Sequence, residues 1–432
     1  MRPPPSSAST TTRFAALRAD VAGPRLIFVN RFFHPDHSAT AQLLTDLCLF
    51  LAREGWDVHV VASRARYEDP SARLPASEEV GGVHVHRVRT TAFGRGNVAG
   101  RAADYLSFYP AAFAALLKIL RRGDIVIAKT DPPLLSVACA AAARIKGARL
   151  VNWLQDLYPE VAGELGMAAL KGRLGAPLRA LRNASLKAAA ANVAIGDRMA
   201  ERLQAQGVQA DRIAVIHNWT DDEAIIPVPP GQSPLRAAWK IAPADFVVGY
   251  SGNLGRAHEA ETLLGAARAL RTRPEIKFLF IGGGHHSGAL GRRVTDEGLS
   301  NVLFQPYQPR EMLNQSLAAP DVHWVSLLPA LEGLIVPSKF YGAAAAGRPI
   351  IAVTDADGEL ARLVRAHGCG VVVEPGDAAA MAAAITGLAG DRQACAAKGQ
   401  RARAMIEARF TRGMALEAWA SLLRGVVGGR VR

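Results

Sequence analysis

Cysteine is scarce in this chain. Four residues in 432, Cys48, Cys139, Cys369 and Cys395, form no CxxC pair and no Cys/His metal spacing. They read as core thiols of a protein in a reducing cytoplasm. Long apolar runs are missing as well: none reaches the ~18 residues that a bilayer span takes. Residues 1–23 are rich in Pro, Ser and Thr and lack the apolar stretch of a secretory signal, so they read as a disordered tail. Aromatics are few, at 6%, and no Lys/Arg tract is interleaved with them. That argues against a nucleic-acid channel. No GxGxxG follows a first strand, as a dinucleotide fold would want. No Ser/His/Asp or Cys/His arrangement stands out, and no acid pair is picked out as a holder of a divalent ion.

What is present is apolar bulk, at 50%, and positive charge, at +13. The excess suits phosphate-bearing substrates or an anionic membrane face. Short apolar strands alternate with helical segments from Arg25 onward, which predicts an α/β protein with parallel sheets covered by helices. The rhythm runs twice. Residues 24–219 form a first Rossmann-like half and 220–243 an acidic, then Pro-rich linker. Residues 244–410 form a second half, and 411–432 a helix crossing back to the first.

The most informative stretch is Ser326–Ile351, SLLPALEGLIVPSKFYGAAAAGRPII. It reads as strand, loop, short helix, turn and strand. Ser338 is placed as the N-cap of a helix over Lys339–Ala346, ended by Gly347. A serine hydroxyl and a lysine ammonium at a helix start are suited to an anion. Glu332, one loop away and next to Gly333, is suited to sugar hydroxyls. Phosphate plus polyol points to a nucleotide sugar. Gly252-Asn253-Leu254-Gly255-Arg256 is a second turn where donors can meet phosphate. Gly282 to Gly284 allow close approach of a ligand or make a tight turn. Asp156, at the tip of a strand, is a base, a hydroxyl partner or a loop acid. His34, His37, His217, His258, His285 and His286 are loop histidines without metal-ligand spacing, with solvated or hydrogen-bonding roles expected.

Two segments are candidates for lipid contact. In Val98–Arg122, Tyr105, Phe108 and Tyr109 would sit at headgroup level, with Lys118, Arg121 and Arg122 toward anionic lipid; a core helix with a basic end is equally open. Ala168–Ala191 carries Lys171, Arg173, Arg179, Arg182 and Lys187, for lipid or for a solvated face.

As a set, FVVGYSGNLGRAHEAETLL, FLFIGGG, NVLFQPY, LEGLIVPSKFYGAAAAGRPII and VVVEPGD resemble the nucleotide-binding half of retaining GT-B glycosyltransferases of family 4. NRFFHPDHSATAQLLTDL, TDPPL, NWLQDLYPE and VIHNW resemble the first half of the branch that builds bacterial surface polysaccharides on lipid carriers. That branch includes N-acetyl-L-fucosamine and colanic-acid transferases. The resemblance implies a UDP-sugar in the cleft between the halves, as co-substrate, with no cofactor and no metal. Its diphosphate would rest near Gly252, Asn253, Gly255 and Arg256 and the Ser338/Lys339 helix start, with Gly333 and Pro337 in the same donor loop. Its uracil would lie against Gly282, Gly283, Gln305 and Tyr307. Glu332 matches the first Glu of the family's Glu-x7-Glu motif. Asp131 and Asp156, with His34 and Asp36, would face the acceptor.

The resemblance further implies a polyprenyl diphosphate-linked sugar as acceptor, transfer with retention, and a cytoplasmic enzyme peripheral on the inner membrane. The motif's second Glu falls near Gly342. The usual Arg and Lys after the first glycine fall near Asn253 and His258, with Arg256 as the substitute. Asp36–Thr40 stands where the family's Gly-Gly pair is common. A UDP-sugar epimerase of the same architecture, or a non-catalytic nucleotide-binding membrane scaffold, remains an alternative.

Overall fold

The computed structural model describes residues 23–429 except 37, 68, 70, 95–97 and 285. Residues 1–22 of the expected tail, His37 and His285 lie outside the described residues.

The first lobe carries β1 (Leu26–Val29), α1 (Ala39–Arg53), β2 (Val58–Ser63), β3 (Ser77–Val80), β4 (Val83–Val88), α2 (Val98–Ile119), β5 (Ile125–Ala128), α3 (Leu135–Lys146) and β6 (Arg149–Trp153). It continues through α4 (Glu160–Glu164), α5 (Ala176–Ala188), β7 (Ala191–Ala194), α6 (Asp197–Ala205) and β8 (Ile213–Val215). The eight strands form one sheet in the order β3-β4-β2-β1-β5-β6-β7-β8, parallel except for β3. The central strands β1 and β5 are buried on both faces, which is why they read as unbroken apolar runs, while β4 and β8 toward the flanks are only partly covered.

The second lobe begins with α7 (Pro234–Ala238) and β9 (Phe246–Asn253), then α8 (Glu261–Ala269), β10 (Ile276–Gly283), α9 (Ser287–Asp296), β11 (Val302–Gln305), α10 (Leu313–Ala318) and β12 (Val322–Ser326). It ends with α11 (Lys339–Ala345), β13 (Ile350–Val353), α12 (Glu359–His367), β14 (Gly370–Val373), α13 (Ala378–Gly390) and α14 (Arg392–Arg409). Its six strands run parallel in the order β11-β10-β9-β12-β13-β14. The order reverses between β9 and β12, and ligands of open α/β sheets bind outside the carboxyl ends of the strands at such a point.

The last helix, α15 (Arg412–Val427), leaves the second lobe and packs on α1. Trp419 packs against Trp153 of the first sheet, with the ring centres 4.7 Å apart, and Thr411 caps the helix by accepting from the Met414 N–H. The outgoing and returning chain run side by side, bridged between Thr220 and Thr411. The Pro-rich stretch expected as a linker is not a free tether. Arg236 within it is buried and pairs with Asp321 at 2.5 Å, and Ser233 donates to the Gln315 carbonyl. An apolar cluster joins the lobes, with Leu157, Met199 and Leu203 against Leu331, Leu334 and Phe340.

Two expectations about lipid contact change. Phe108 is fully buried among β-strand residues, and the Tyr109 hydroxyl donates to the Pro133 carbonyl, so neither faces outward for headgroups. The segment 168–191 is not one helix but two single turns followed by α5, and Arg182 is buried against Glu160 at 2.6 Å. Met167, Leu174 and Leu181 remain well exposed there, beside exposed Lys171 and Arg173. No described helix is long and apolar enough to cross a membrane.

Candidate active site

The second lobe's wall of the crevice is built where β9 and β12 diverge. β9 ends in Gly252-Asn253, and Gly252 has φ +121. A Cβ there would stand 3.0 Å from Lys339 Cε, so glycine is what lets the lysine lie against the turn. The Lys339 ammonium sits 3.0 Å from His258 Nε2, while His258 Nδ1 is 2.7 Å from the Ser326 carbonyl. A carbonyl only accepts, so Nδ1 carries the proton and Nε2 accepts from the lysine. Burial, and after it the Lys339 charge, lowers His258 to about 3, so it stays neutral. Burial also lowers Lys339 to about 8. No carboxylate among the described residues forms an ion pair with Lys339. It is a cation held in place by neutral partners.

Tyr307 covers the next turn. Its ring Cε1 lies 3.1 Å from a Cβ placed at Gly282 and its Cε2 3.3 Å from one at Gly283, and the residue is 61% exposed. Gln305 ends the neighbouring strand, in register with Ile281. Asn253 and Arg256 are exposed, and Arg256 reaches the Leu165 carbonyl of the first lobe at 3.5 Å. Gly255 is half-buried between them.

Three expectations need correction here. Ser338 is exposed and helical in φ and ψ, and it makes no capping hydrogen bond. The helix it precedes has only seven residues, too short for its dipole to carry much. Glu332 is only 5% exposed and does not offer open oxygens to a sugar. One oxygen accepts from the Thr354 hydroxyl at 2.5 Å, the other from the Glu359 N–H at 3.1 Å, so the carboxylate caps α12. Glu359 in turn accepts from the Arg198 N–H at 2.8 Å, across the junction at the start of α6. Pro337 and Gly333 are buried in the same loop. Gly333 has φ +70, and a Cβ on it would meet the Arg198 carbonyl at 2.8 Å. The third correction is an acid pair that escaped the sequence reading, Asp355 and Asp357 after β13. Asp357 pairs with Arg362, and Asp355 accepts from the Asp357 N–H. A Cβ at Gly342, the position of the family's second Glu, would meet Leu317 and, at 4.0 Å, Thr220.

The first lobe's wall is formed by the tips of β5 and β6. Asp156 pairs in an antiparallel bridge with Ile335, and the Leu157 N–H donates to the Leu334 carbonyl at 2.9 Å. A small cavity beside them is lined by Lys129, Thr130, Ser136, Asp156, Tyr158 and Arg182. Burial, and after it the Asp131 charge, raises Asp156 to about 6. Lys129 is 1% exposed. Its ammonium donates to the Thr40 carbonyl at 3.1 Å and lies 3.4 Å from the centre of the Trp153 ring. Burial lowers it to about 7. The other two acceptor-side candidates lie in the loop after β1. Asp36 is buried and accepts from the Tyr67 N–H, which ties down a neighbouring loop. His34 is exposed, and its carbonyl accepts from Arg87.

Lys129 and Glu359 were not picked out from the sequence, and His258 was noted only as a loop histidine and a departure. The signal for Lys129 was available: a lysine closing an otherwise apolar strand, IVIAK. For Glu359 no signal was.

Two facing α/β lobes with parallel sheets, joined by a returning C-terminal helix, define a GT-B fold. Comparison with known proteins agrees. Over 94% of this chain and 99% of the other, the fold matches a sucrose-phosphate synthase from Thermosynechococcus elongatus, with a TM-score of 0.75 at 18% identity. It matches HepE of Anabaena in complex with UDP at 0.68 and 18%, over 93% and 100%.

The sequence carries a Glycosyl transferase 4-like domain at residues 39–219 and a Glycosyl transferases group 1 domain at 245–391. The chain belongs to the family-4 type of glycosyltransferase. It is 29% identical to the probable glycosyltransferase WbjE of Pseudomonas aeruginosa, over 70% of this chain and 75% of that one. It is 26% identical to the putative colanic acid biosynthesis glycosyl transferase WcaI of Escherichia coli K12, over 82% and 89%.

Proposed function

We propose that this glycosyltransferase moves a sugar, such as an N-acetylated hexosamine, from a UDP-sugar to a polyprenyl diphosphate-linked acceptor in the synthesis of a surface polysaccharide. The observation that carries the donor half is the Lys339 ammonium, held at the Gly252 turn by a neutral histidine and, among the described residues, without a carboxylate partner. A diphosphate supplies the charge that this position lacks. Tyr307 over Gly282 and Gly283 offers a flat, exposed ring for a uracil. The likeness to a UDP-bound protein and to a colanic acid enzyme supports the same donor and product class.

In this reading Lys339 and Arg256 neutralise the leaving diphosphate in place of a metal. The bond from C1 to the phosphate oxygen breaks as the acceptor oxygen bonds to C1 on the same face, which retains the anomeric configuration. The acceptor's proton passes to the departing phosphate. Asp156 accepts a hydrogen bond from the acceptor hydroxyl and orients it. Glu332, with one oxygen on Thr354 and the other on the start of α12, acts by holding the donor loop against the first lobe. The exposed Met167, Leu174 and Leu181, with Lys171 and Arg173, lie in the segment that leads to Arg182 of the cavity. That surface suits the anionic cytoplasmic face of the inner membrane, from which a lipid-linked acceptor would come.

The test is mass spectrometry of products from a UDP-sugar panel offered with a polyprenyl diphosphate-linked sugar. A product heavier by one sugar residue supports transfer. Free sugar or an epimer in every reaction, with the acceptor unchanged, contradicts it.

A further inference from the structure

Lys129 is the buried charge that the proposed reaction leaves without a task. It follows β5 at the carboxyl end of a central strand, and only 1% of it is exposed. Burying an ammonium is costly unless something nearby compensates. Among the described residues its side chain has one hydrogen bond, to the Thr40 carbonyl, and no ion pair. The Trp153 ring beneath it adds a cation–π contact at 3.4 Å. A methionine would fill this space with no charge to bury.

The charged and titratable groups facing Lys129 are few. Cys48 comes from α1, Asp131 from the loop after β5, and Asp156 from the loop after β6. Arg182 of α5 lines the same cavity, with its own partner in Glu160. Burial and the Asp131 charge both disfavour an ionised Asp156, and Lys129, in the same cavity, is the cation that opposes them.

We propose that Lys129 is a positioning residue of the acceptor side, whose buried ammonium keeps the Asp156 carboxyl ionised so that it accepts a hydrogen bond from the acceptor's reacting hydroxyl. A protonated Asp156 would offer that hydroxyl a donor where an acceptor is needed. The inference rests on the glycosyl-transfer reading for the identity of the ligand, and on the cavity that Lys129 and Asp156 share, with their opposite charges, for the coupling of the two side chains.

The experiment compares wild type, Lys129→Met and Asp156→Asn. Infrared difference spectra across roughly pH 5–9, the window around the two groups, follow the protonated-carboxyl band that Asp156→Asn removes. The band's midpoint should move up by roughly 1–3 pH units in Lys129→Met. The acid limb of kcat/KM for the acceptor should move with it, while UDP affinity by calorimetry stays at the wild-type value. Melting curves of Lys129→Met should show no loss of stability. An unmoved midpoint overturns the proposal whether or not turnover is seen. A parallel fall in UDP affinity and melting temperature also overturns it, because it marks a merely structural lysine. Absence of UDP binding in wild type would instead count against the glycosyl-transfer reading, with the band still reporting on Lys129.

Discussion

The two walls of the crevice solve the same problem, holding a charge in place, in different ways. The second lobe keeps Lys339 against a glycine turn, with a neutral histidine as its partner. Its neighbourhood has cation to spare. The first lobe encloses Lys129 with Asp131 and Asp156 in reach, and burial draws the lysine and Asp156 toward neutrality, to about 7 and about 6. One wall is fitted to receive an anion. The other is fitted to control a proton. The proposed function uses that difference, with the diphosphate at the second lobe and the hydroxyl acceptor at the first.

The sharpest way to break that assignment is Lys339→Met. A hydrogen bond to a charged group is worth about 1.5–3 kcal/mol, so kcat/KM for the donor should fall roughly 10- to 100-fold. Wild-type donor affinity should hold up to about pH 8 and weaken above it, as the ammonium loses its proton. Lys339→Arg should remove that alkaline limb. The stability effect has its own sign. The folded pKa is depressed below the unfolded one, so Lys339 costs stability below about pH 8 and the cost fades as pH rises toward the unfolded value. Melting curves of Lys339→Met should therefore gain most below pH 8.

Asp156→Ala sharpens the comparison from the other side. Acceptor KM in steady-state kinetics should rise by about tenfold, since one hydrogen bond to a charged group is lost, with donor KM unchanged. Glu359→Ala removes the cap that the second lobe places on α6. The loss of an N-cap acceptor costs about 0.5–2 kcal/mol, visible as a lower melting temperature. Solution scattering should record a larger radius of gyration as the lobes part. Tyr307→Ala should have the smallest effect, weakening UDP by roughly two- to tenfold, the worth of one aromatic stacking contact of about 0.5–1.5 kcal/mol.

The walls also differ in how far the sequence discloses them. Both sheets were legible, because parallel strands covered on two faces must be apolar throughout. β3 was not, since Ser77–Val80 is polar and lies at an edge. The wall proposed for the donor was legible as a set of turns because its parts are local: GNLGR, GGG and PSK each sit in one turn. The wall proposed for the acceptor was only half legible. Asp156 stood out at a strand tip, but the weight of Lys129 depends on burial that four separate segments create. Glu332 shows a further limit. Its carboxylate was recognised, while its partners Thr354 and Glu359 lie 22 and 27 residues downstream, and no local pattern announces them. Ser338 had the right residue type for a cap, and tertiary packing set its backbone helical instead.

The division of labour is tested most directly by titrating UDP, in the presence of a chelator, into wild type, Lys339→Met and Asp156→Ala by calorimetry. The account predicts binding to wild type without a divalent ion, unchanged in Asp156→Ala and reduced by at least tenfold in Lys339→Met, as for a lost charged contact. Equal binding by wild type and Lys339→Met, or a loss confined to Asp156→Ala, would contradict it.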